Sequence, residues 1–157
     1  MELITGLVTI LSFYILIIII LHVSFPEPHY DWSKIDLENM NFPSEFSWGV
    51  ATASHQIEGN NTNNWSKFET DRDIENCGLA CDHWNRWEED HGLLVELGVT
   101  TYRFSIEWSR IQPEKNEWNE DAIQVYSKMV DSLLQKGIEP MITLHHFSHP
   151  VWFEKLG

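Results

Sequence analysis

Three short runs rich in β-branched and aromatic residues, at 46–52, 99–106 and 140–146, alternate with two stretches of helical periodicity. That alternation restricts the chain to an α/β sheet. Phe46-Ser47-Trp48-Gly49-Val50-Ala51-Thr52 is apolar-rich and bounded by Pro43 and a polar loop, which predicts the first strand. Trp84, Trp87, His91, Leu94 and Leu97 then recur at spacings of three and four. Asp82 stands in position to cap that helix and Gly98 to stop it. After the second strand, Asn119, Glu120 and Asp121 make an acidic helix start, with Ile123, Tyr126, Val130 and Leu133 on one face and Gly137 closing it. Pro140 opens the third strand, where it withholds no ladder hydrogen bond, and residues 150–156 begin another helix. Such a βαβαβ order requires parallel strands joined by right-handed crossovers.

Two architectures share that order. A doubly wound nucleotide-binding sheet turns tightly through glycines after its first strand. This chain instead has roughly 30 polar residues, 53–82, before the first helix, and loops of that length after a strand are where (β/α)8 barrels build sites. The barrel is therefore the expected fold. Eight βα units need about 250 residues, whereas three units fill this chain. The expectation is thus a partial (β/α)8 TIM barrel, the first three βα units of a longer one, with open edges on strands one and three that expect neighbours.

Residues 3–23 carry no Asp, Glu, Lys or Arg and centre on Tyr14-Ile15-Leu16-Ile17-Ile18-Ile19-Ile20-Leu21. As a helix they extend about 32 Å, close to the ~30 Å hydrocarbon core of a bilayer. A cleaved signal peptide would show a basic n-region and a small-residue cleavage site. Neither is evident here, so a single-pass transmembrane helix across the lipid bilayer is expected. A signal segment, which would make the protein secreted, and a buried core helix are the alternatives. Residues 25–41, with Pro26, Pro28 and acids at 27, 31, 36 and 38, read as an acidic juxtamembrane linker to a domain over 42–157. No Lys or Arg precedes Lys34, so the positive-inside signal does not fix orientation. Asn60-Asn61-Thr62 and Asn64-Trp65-Ser66 are glycosylation triplets if the bulk faces an exocytic lumen.

The formal net charge is −14, with 24 acidic and 10 basic side chains. Glu2 is the only charged side chain in residues 1–24, so residues 25–157 carry −13. Without a basic footprint, nucleic acid is excluded as a partner. Two cysteines are too few for a disulfide scaffold; Cys77, Cys81 and His83 make at most half a zinc pattern. Adjacent histidines on a strand face opposite ways, so the His145-His146-x-x-His149 cluster reads as packing or hydrogen bonding instead of a metal site. Neither a metal nor a cofactor is expected.

Amide, imidazole, guanidinium and aromatic groups collect at the three strand ends, with no glycine-rich phosphate cradle and no nucleophile-elbow serine. Such groups suit a neutral, hydroxyl-rich ligand: Gln and His pair with sugar hydroxyls, and aromatic faces stack on pyranose C–H groups. The residues concerned are Phe42-Pro43-x-x-Phe46-x-Trp48-Gly49-x-Ala51-Thr52-Ala53-Ser54-x-Gln56-Ile57-Glu58-Gly59, then Tyr102-Arg103-Phe104-Ser105-Ile106-Glu107-Trp108-Ser109-Arg110-Ile111, then Thr143-Leu144-His145-His146-Phe147-x-x-Pro150-x-Trp152. These three blocks, in this order, resemble the N-terminal signatures of the family-one glycoside hydrolases, the β-glucosidase family.

That resemblance implies a retaining β-glycosidase hydrolysing O-glycosyl bonds of a β-glycoside or oligosaccharide. Gln56 and His146 would bind glycone hydroxyls, with Phe147, where the family more often has Trp, as a subsite wall. Arg103 would lie against the nucleophilic carboxylate and orient it. Ser148 and His149 depart from the commoner Asp-Leu. The family's acid/base glutamate sits in an Asn-Glu-Pro motif after the fourth strand, and its nucleophile lies later. Neither motif occurs here, so no catalytic residue is expected in this chain and both glutamates are expected downstream. A non-catalytic sugar-binding or interaction remnant of the barrel is the alternative. Glu58 and Glu107 lie near strand ends, but the resemblance gives neither a proton-transfer role. Trp84 and Trp87 are expected to pack, and Trp48 and Trp108 to serve as either subsite wall or core.

Overall fold

The structure, a computed structural model, describes residues 2–26, 29, 31–36, 38 and 41–156, with the side chains of residues 2–4 left aside. Glu27 and Pro28 of the expected linker, and Gly157, lie outside the described residues. The chain divides into two units, Met1–Pro43 and Ser44–Gly157.

The first unit holds α1 (Glu2–Ser24), the helix expected from the uncharged stretch. Its segment Thr5–Ser24 is long and apolar enough to cross a bilayer. Thr9 Oγ1 donates to the Thr5 carbonyl at 2.9 Å, so that hydroxyl needs no outside partner. The described side chains of α1 from residue 5 onward are exposed. A single 3-10 turn (Trp32–Lys34) follows; Asp31 caps it by accepting from Ser33 N at 3.2 Å and pairs with Lys34 Nζ at 3.1 Å.

The second unit is a three-stranded parallel sheet in the order β1 (Gly49–Ala51), β2 (Thr101–Ser105), β3 (Glu139–Thr143). Arg103 lies between Ala51 and Met141 in the register. Helix α4 (His83–Leu97) crosses from β1 to β2 and α6 (Glu120–Gln135) from β2 to β3. The two strand-to-strand crossovers are those the sequence alternation demanded. All three strands are shorter than expected. In the first, Phe46 and Trp48 stay outside the ladder, packed edge-on at 4.8 Å. In the third, residues 144–146 leave the sheet to form the turn beyond β3.

The polar loop of residues 53–82 is not structureless. It contains α2 (Ser54–Ile57) and α3 (Asn64–Asp71), the latter opened by a reciprocal capping box between Asn63 and Ser66. Its polar sequence hid both helices, because α2 is a single turn and neither carries an apolar stripe. Two short helices complete the unit, α5 (Trp108–Ile111) after β2 and α7 (Val151–Glu154), which Pro150 introduces.

The core lies between the sheet and the crossover helices. Tyr102 and Phe104, two residues apart on β2, stack at 5.4 Å on that face. Against them α6 sets Tyr126, Met129 and Leu133, joined by Ile138 before β3, while Trp84, Trp87 and Leu94 of α4 pack at the margin. Burying each such side chain contributes roughly 1.5–3 kcal/mol. Met129 fills a core position that the predicted apolar face passed over, and Ile123 of that face is exposed. Leu97 is 65% exposed, because the left-handed Gly98 ends α4 as the chain turns to the sheet. Asp82 does not cap α4: its backbone is left-handed (φ +56°), and its Oδ1 accepts from Asn85 Nδ2 at 2.6 Å. Asn119 does cap α6, accepting from Ala122 N at 3.1 Å.

The opposite face of the sheet is open. Arg103 is exposed and Met141 is 54% exposed there. That face and two unpaired edges predict a weakly cooperative domain. Heating the detergent-solubilised chain should give a broad loss of far-ultraviolet circular dichroism; a single sharp transition would show that three βα units suffice.

Candidate functional site

In a parallel sheet every strand delivers its C-terminal end to the same edge. The α2 turn follows β1 there, residues 106–107 and α5 follow β2, and residues 144–150 follow β3. Two buried carboxylates tie these three segments together. Glu107, fully buried, accepts from Ser54 Oγ at 3.0 Å, Asn63 Nδ2 at 3.1 Å, Ser109 Oγ at 2.8 Å and Ser109 N at 3.3 Å. Ser54 reaches on to Ser105, whose Oγ accepts its N–H at 2.8 Å, and its Oγ lies 3.5 Å from Ser148 Oγ. A buried carboxylate with four donors is stable in place, since its lone pairs are satisfied.

Glu58, 2% exposed, accepts from Tyr126 Oη at 2.7 Å and from Arg110 Nε at 2.9 Å. The Tyr126 hydroxyl also accepts the Glu107 N–H at 2.9 Å, so one phenol bridges the two acidic residues. Arg110 lies 4.1 Å over the Trp84 ring and donates to the Gly59 carbonyl. Gly59 needs its lack of a side chain: φ is +83°, and a Cβ would run into the Leu79 carbonyl. Desolvation raises the Glu58 pKa to about 7, against the Tyr126 hydrogen bond and the Arg110 charge. Burial also pushes the Tyr126 phenol well above its ordinary value. Both carboxylates are thus held internally, and neither is presented as an acid or nucleophile.

A second set of bonds fixes the loop after β3. Asn64 Nδ2 and Trp65 Nε1 donate to the Phe147 carbonyl at 3.1 and 3.0 Å, and Asn64 exchanges two further bonds with the backbone of His149. Phe147 is held in the left-handed region at φ +63°, unusual for a bulky residue and characteristic of constrained sites. His55 bonds Glu69 at 2.9 Å, and Cys77 Sγ donates to the His55 carbonyl at 3.1 Å. Both cysteines are free thiols; burial, with the Glu69 charge, pushes the Cys77 thiol up, away from reactivity.

The residues singled out in the sequence fall on three consecutive βα units, with Arg103 at the middle of β2 and the others in the segments after β1 and β3. Gln56 is exposed on α2, Arg103 is exposed on the open face of β2, and His146 is half-buried beyond β3. The Phe147 ring is 71% exposed and packs edge-on to His146 at 5.4 Å. Arg103 makes no ion pair among the described residues. Gln56, Arg103 and His146 make no side-chain hydrogen bonds to one another among the described residues. A cavity of about 260 Å³ between β1 and α4, lined by Val50, Thr52, His91, Leu94 and Tyr102 among others, is apolar and includes none of them. Trp108 packs in an aromatic group with Phe153 at 4.8 Å and Trp152 at 5.9 Å, whereas Trp48 is exposed. His145 and His149 stack at 6.2 Å.

Sequence reasoning missed the Asn63, Asn64 and Trp65 anchors. Their only signal was an Asn-rich capping pattern, which does not name a partner some 40 or 80 residues away.

Residues 38–157 match the sequence profile of Glycosyl hydrolase family 1. The chain is 43% identical over 127 residues to Beta-glucosidase A of Thermotoga maritima, covering 74% of this chain and 28% of that enzyme. Among solved structures, the beta-glycosidase from Pyrococcus horikoshii matches at 50% identity with a TM-score of 0.70, over 74% of this chain and 28% of that one. Beta-glucosidase from Thermotoga maritima in complex with glucoimidazole matches at 41% identity and TM-score 0.69, over 74% and 29%. The chain therefore spans under a third of the length of these relatives.

The Glu58 carboxyl yields a pH prediction. Its folded pKa lies near 7 against an ordinary 4.5, so the folded state binds the extra proton between those values. Stability from this group is complete below about pH 4.5 and lost as pH rises through 7, on the order of 3 kcal/mol. Amide exchange at Glu107 and Trp84, corrected for intrinsic rates, should accelerate over that window in the native chain, and the acceleration should flatten in Glu58→Gln.

Proposed function

This chain belongs to glycosyl hydrolase family 1, and on that premise we propose that it forms the N-terminal, substrate-gripping part of a membrane-anchored retaining β-glycosidase acting on O-glycosyl bonds. What supports the reading is that Gln56, Arg103 and His146 belong to three consecutive βα units of one parallel sheet, Gln56 and His146 in the segments after β1 and β3 and Arg103 on the exposed face of β2. Named relatives of the same fold are beta-glucosidases, and one of them holds a glucoimidazole.

In this reading Gln56 and His146 hydrogen-bond the hydroxyls of the glycone, each offering a donor and an acceptor. The exposed Phe147 ring supplies a stacking wall, its angle set by the two donors on its own carbonyl. Arg103, free of any ion pair among the described residues, stands ready for a carboxylate supplied from elsewhere in a complete barrel. A guanidinium beside that carboxylate lowers its pKa and fixes its orientation, as a nucleophile needs at neutral pH. Retaining hydrolysis uses two carboxyl groups ~5 Å apart, one protonating the leaving oxygen and one forming the glycosyl-enzyme, with water completing the reaction and no cofactor. No Asn-Glu-Pro segment occurs in the 157 residues. The network that consumes Glu58 and Glu107 supports placing both catalytic glutamates outside this chain. Helix α1 tethers the domain to a bilayer, or carries it across as a signal segment.

Two measurements test this. The isolated chain should release no chromophore from a nitrophenyl β-glucoside, and measurable turnover would overturn the assignment of catalysis to residues outside it. Glucoimidazole should bind the chain weakly, and Gln56→Ala or His146→Ala should each weaken that binding at least tenfold, as read by calorimetry. Unchanged affinity in both variants would remove these residues from the sugar site.

A further inference from the structure

Two Asn-x-Ser/Thr triplets lie four residues apart in the segment that follows β1, and the fold treats their asparagines in opposite ways. Asn64 begins α3 with both ends of its amide in use. Nδ2 donates to the Phe147 carbonyl at 3.1 Å and Oδ1 accepts the His149 N–H at 2.8 Å. The backbone N–H of Asn64 donates to the His149 carbonyl at 3.0 Å, closing a bridge between the loops after β1 and β3. The hydroxyl of that triplet is committed too, since Ser66 Oγ donates to the Asn63 carbonyl and accepts the Asn63 N–H, both at 2.9 Å. A sugar on Asn64 Nδ2 would have to enter a 3.1 Å contact and part the two loops.

Asn60 is the reverse case. Its side chain is exposed and makes no hydrogen bond among the described residues, and Thr62 is exposed beside it. Its backbone is fixed: the N–H donates to the Gly78 carbonyl at 2.7 Å, and φ is +53°, a left-handed conformation that asparagine tolerates. The adjoining Asn61 amide donates to the Ser54 carbonyl at 3.1 Å. The turn therefore holds an unencumbered amide at the surface, which a glycan can occupy without displacing any contact.

We propose that Asn60 is an N-glycosylation site of this chain and that Asn64, despite its matching triplet, is not. The proposal rests on the reading of α1 as an anchor or signal segment and commits that reading to one side, with the residues after α1 in the exocytic lumen. Lys34 is the only Lys or Arg before Lys67, and it is paired with Asp31 at 3.1 Å. No basic cluster holds the following segment on the cytoplasmic side. In the transfer, Asn60 Nδ2 attacks the anomeric carbon of a lipid-pyrophosphate-linked oligosaccharide. The N–C1 bond forms, the C1–O bond breaks, the lipid pyrophosphate leaves with the electron pair, and one amide proton passes to the transferase.

The test is translation of the whole chain with endoplasmic-reticulum microsomes, reading protease protection and endoglycosidase-sensitive mobility together. The expected result is a protected chain bearing one glycan, lost in Asn60→Gln and in Thr62→Ala and retained in Asn64→Gln. Thr62→Ala leaves the Asn60 turn intact and removes only the hydroxyl that transfer requires. A protected wild-type chain without a glycan, or with a glycan that survives Asn60→Gln, overturns the proposal while sparing the lumenal reading of α1. Two glycans overturn the exclusion of Asn64. A chain open to protease and unmodified overturns the lumenal reading and the proposal with it.

Discussion

Two acidic side chains buried beneath the C-terminal edge of the sheet hold together the segments that follow its strands. Glu107 gathers the loop after β1, through Ser54 and Asn63, onto the turn after β2, through Ser109. Glu58 adds Arg110 and, through the Tyr126 hydroxyl, helix α6. Removing water from a carboxylate is costly, and the cost is offset only while each donor stays in place. Segments 44 to 68 residues apart in sequence are thereby locked in one relative position. The exposed Gln56 and Arg103 and the half-buried His146 depend on that lock, since among the described residues they make no hydrogen bonds to one another.

The same edge divides labour between strain and support. Phe147 takes a left-handed backbone at φ +63°, a conformation costing on the order of 1–3 kcal/mol in a residue with a bulky aromatic side chain. Asn64 and Trp65 stabilise it by donating to its carbonyl, and Asn64 also fixes His149. An aromatic ring is left facing solvent next to His146. The turn thus combines an exposed aromatic ring with a half-buried imidazole on a backbone held by side chains of the segment after β1.

One face of the sheet is packed and the other is open. Tyr102 and Phe104 enter the core formed with α4 and α6, while Arg103, one residue away on the same strand, is exposed. Strand alternation alone produces this division. A cationic group is thus kept out of the apolar layer and on the side that a closed barrel would enclose.

The sequence alone determined the parallel βαβαβ order, the stop at Gly98, the acidic start of α6 at residues 119–121, the apolar α1 and the three motif blocks that mark the family. Each follows from local chemistry: periodicity, capping groups and turn residues act over a few positions and are readable there. Tertiary structure decided the rest. It cut the first strand to Gly49–Ala51, folded α2 and α3 out of a polar stretch, left Leu97 and Ile123 exposed, and drew Met129 inward. It also turned Glu58 and Glu107 from two acids near strand ends into the buried clasp of three loops. Burial and long-range hydrogen bonds are properties of where distant segments meet, and no window of neighbouring residues contains that information.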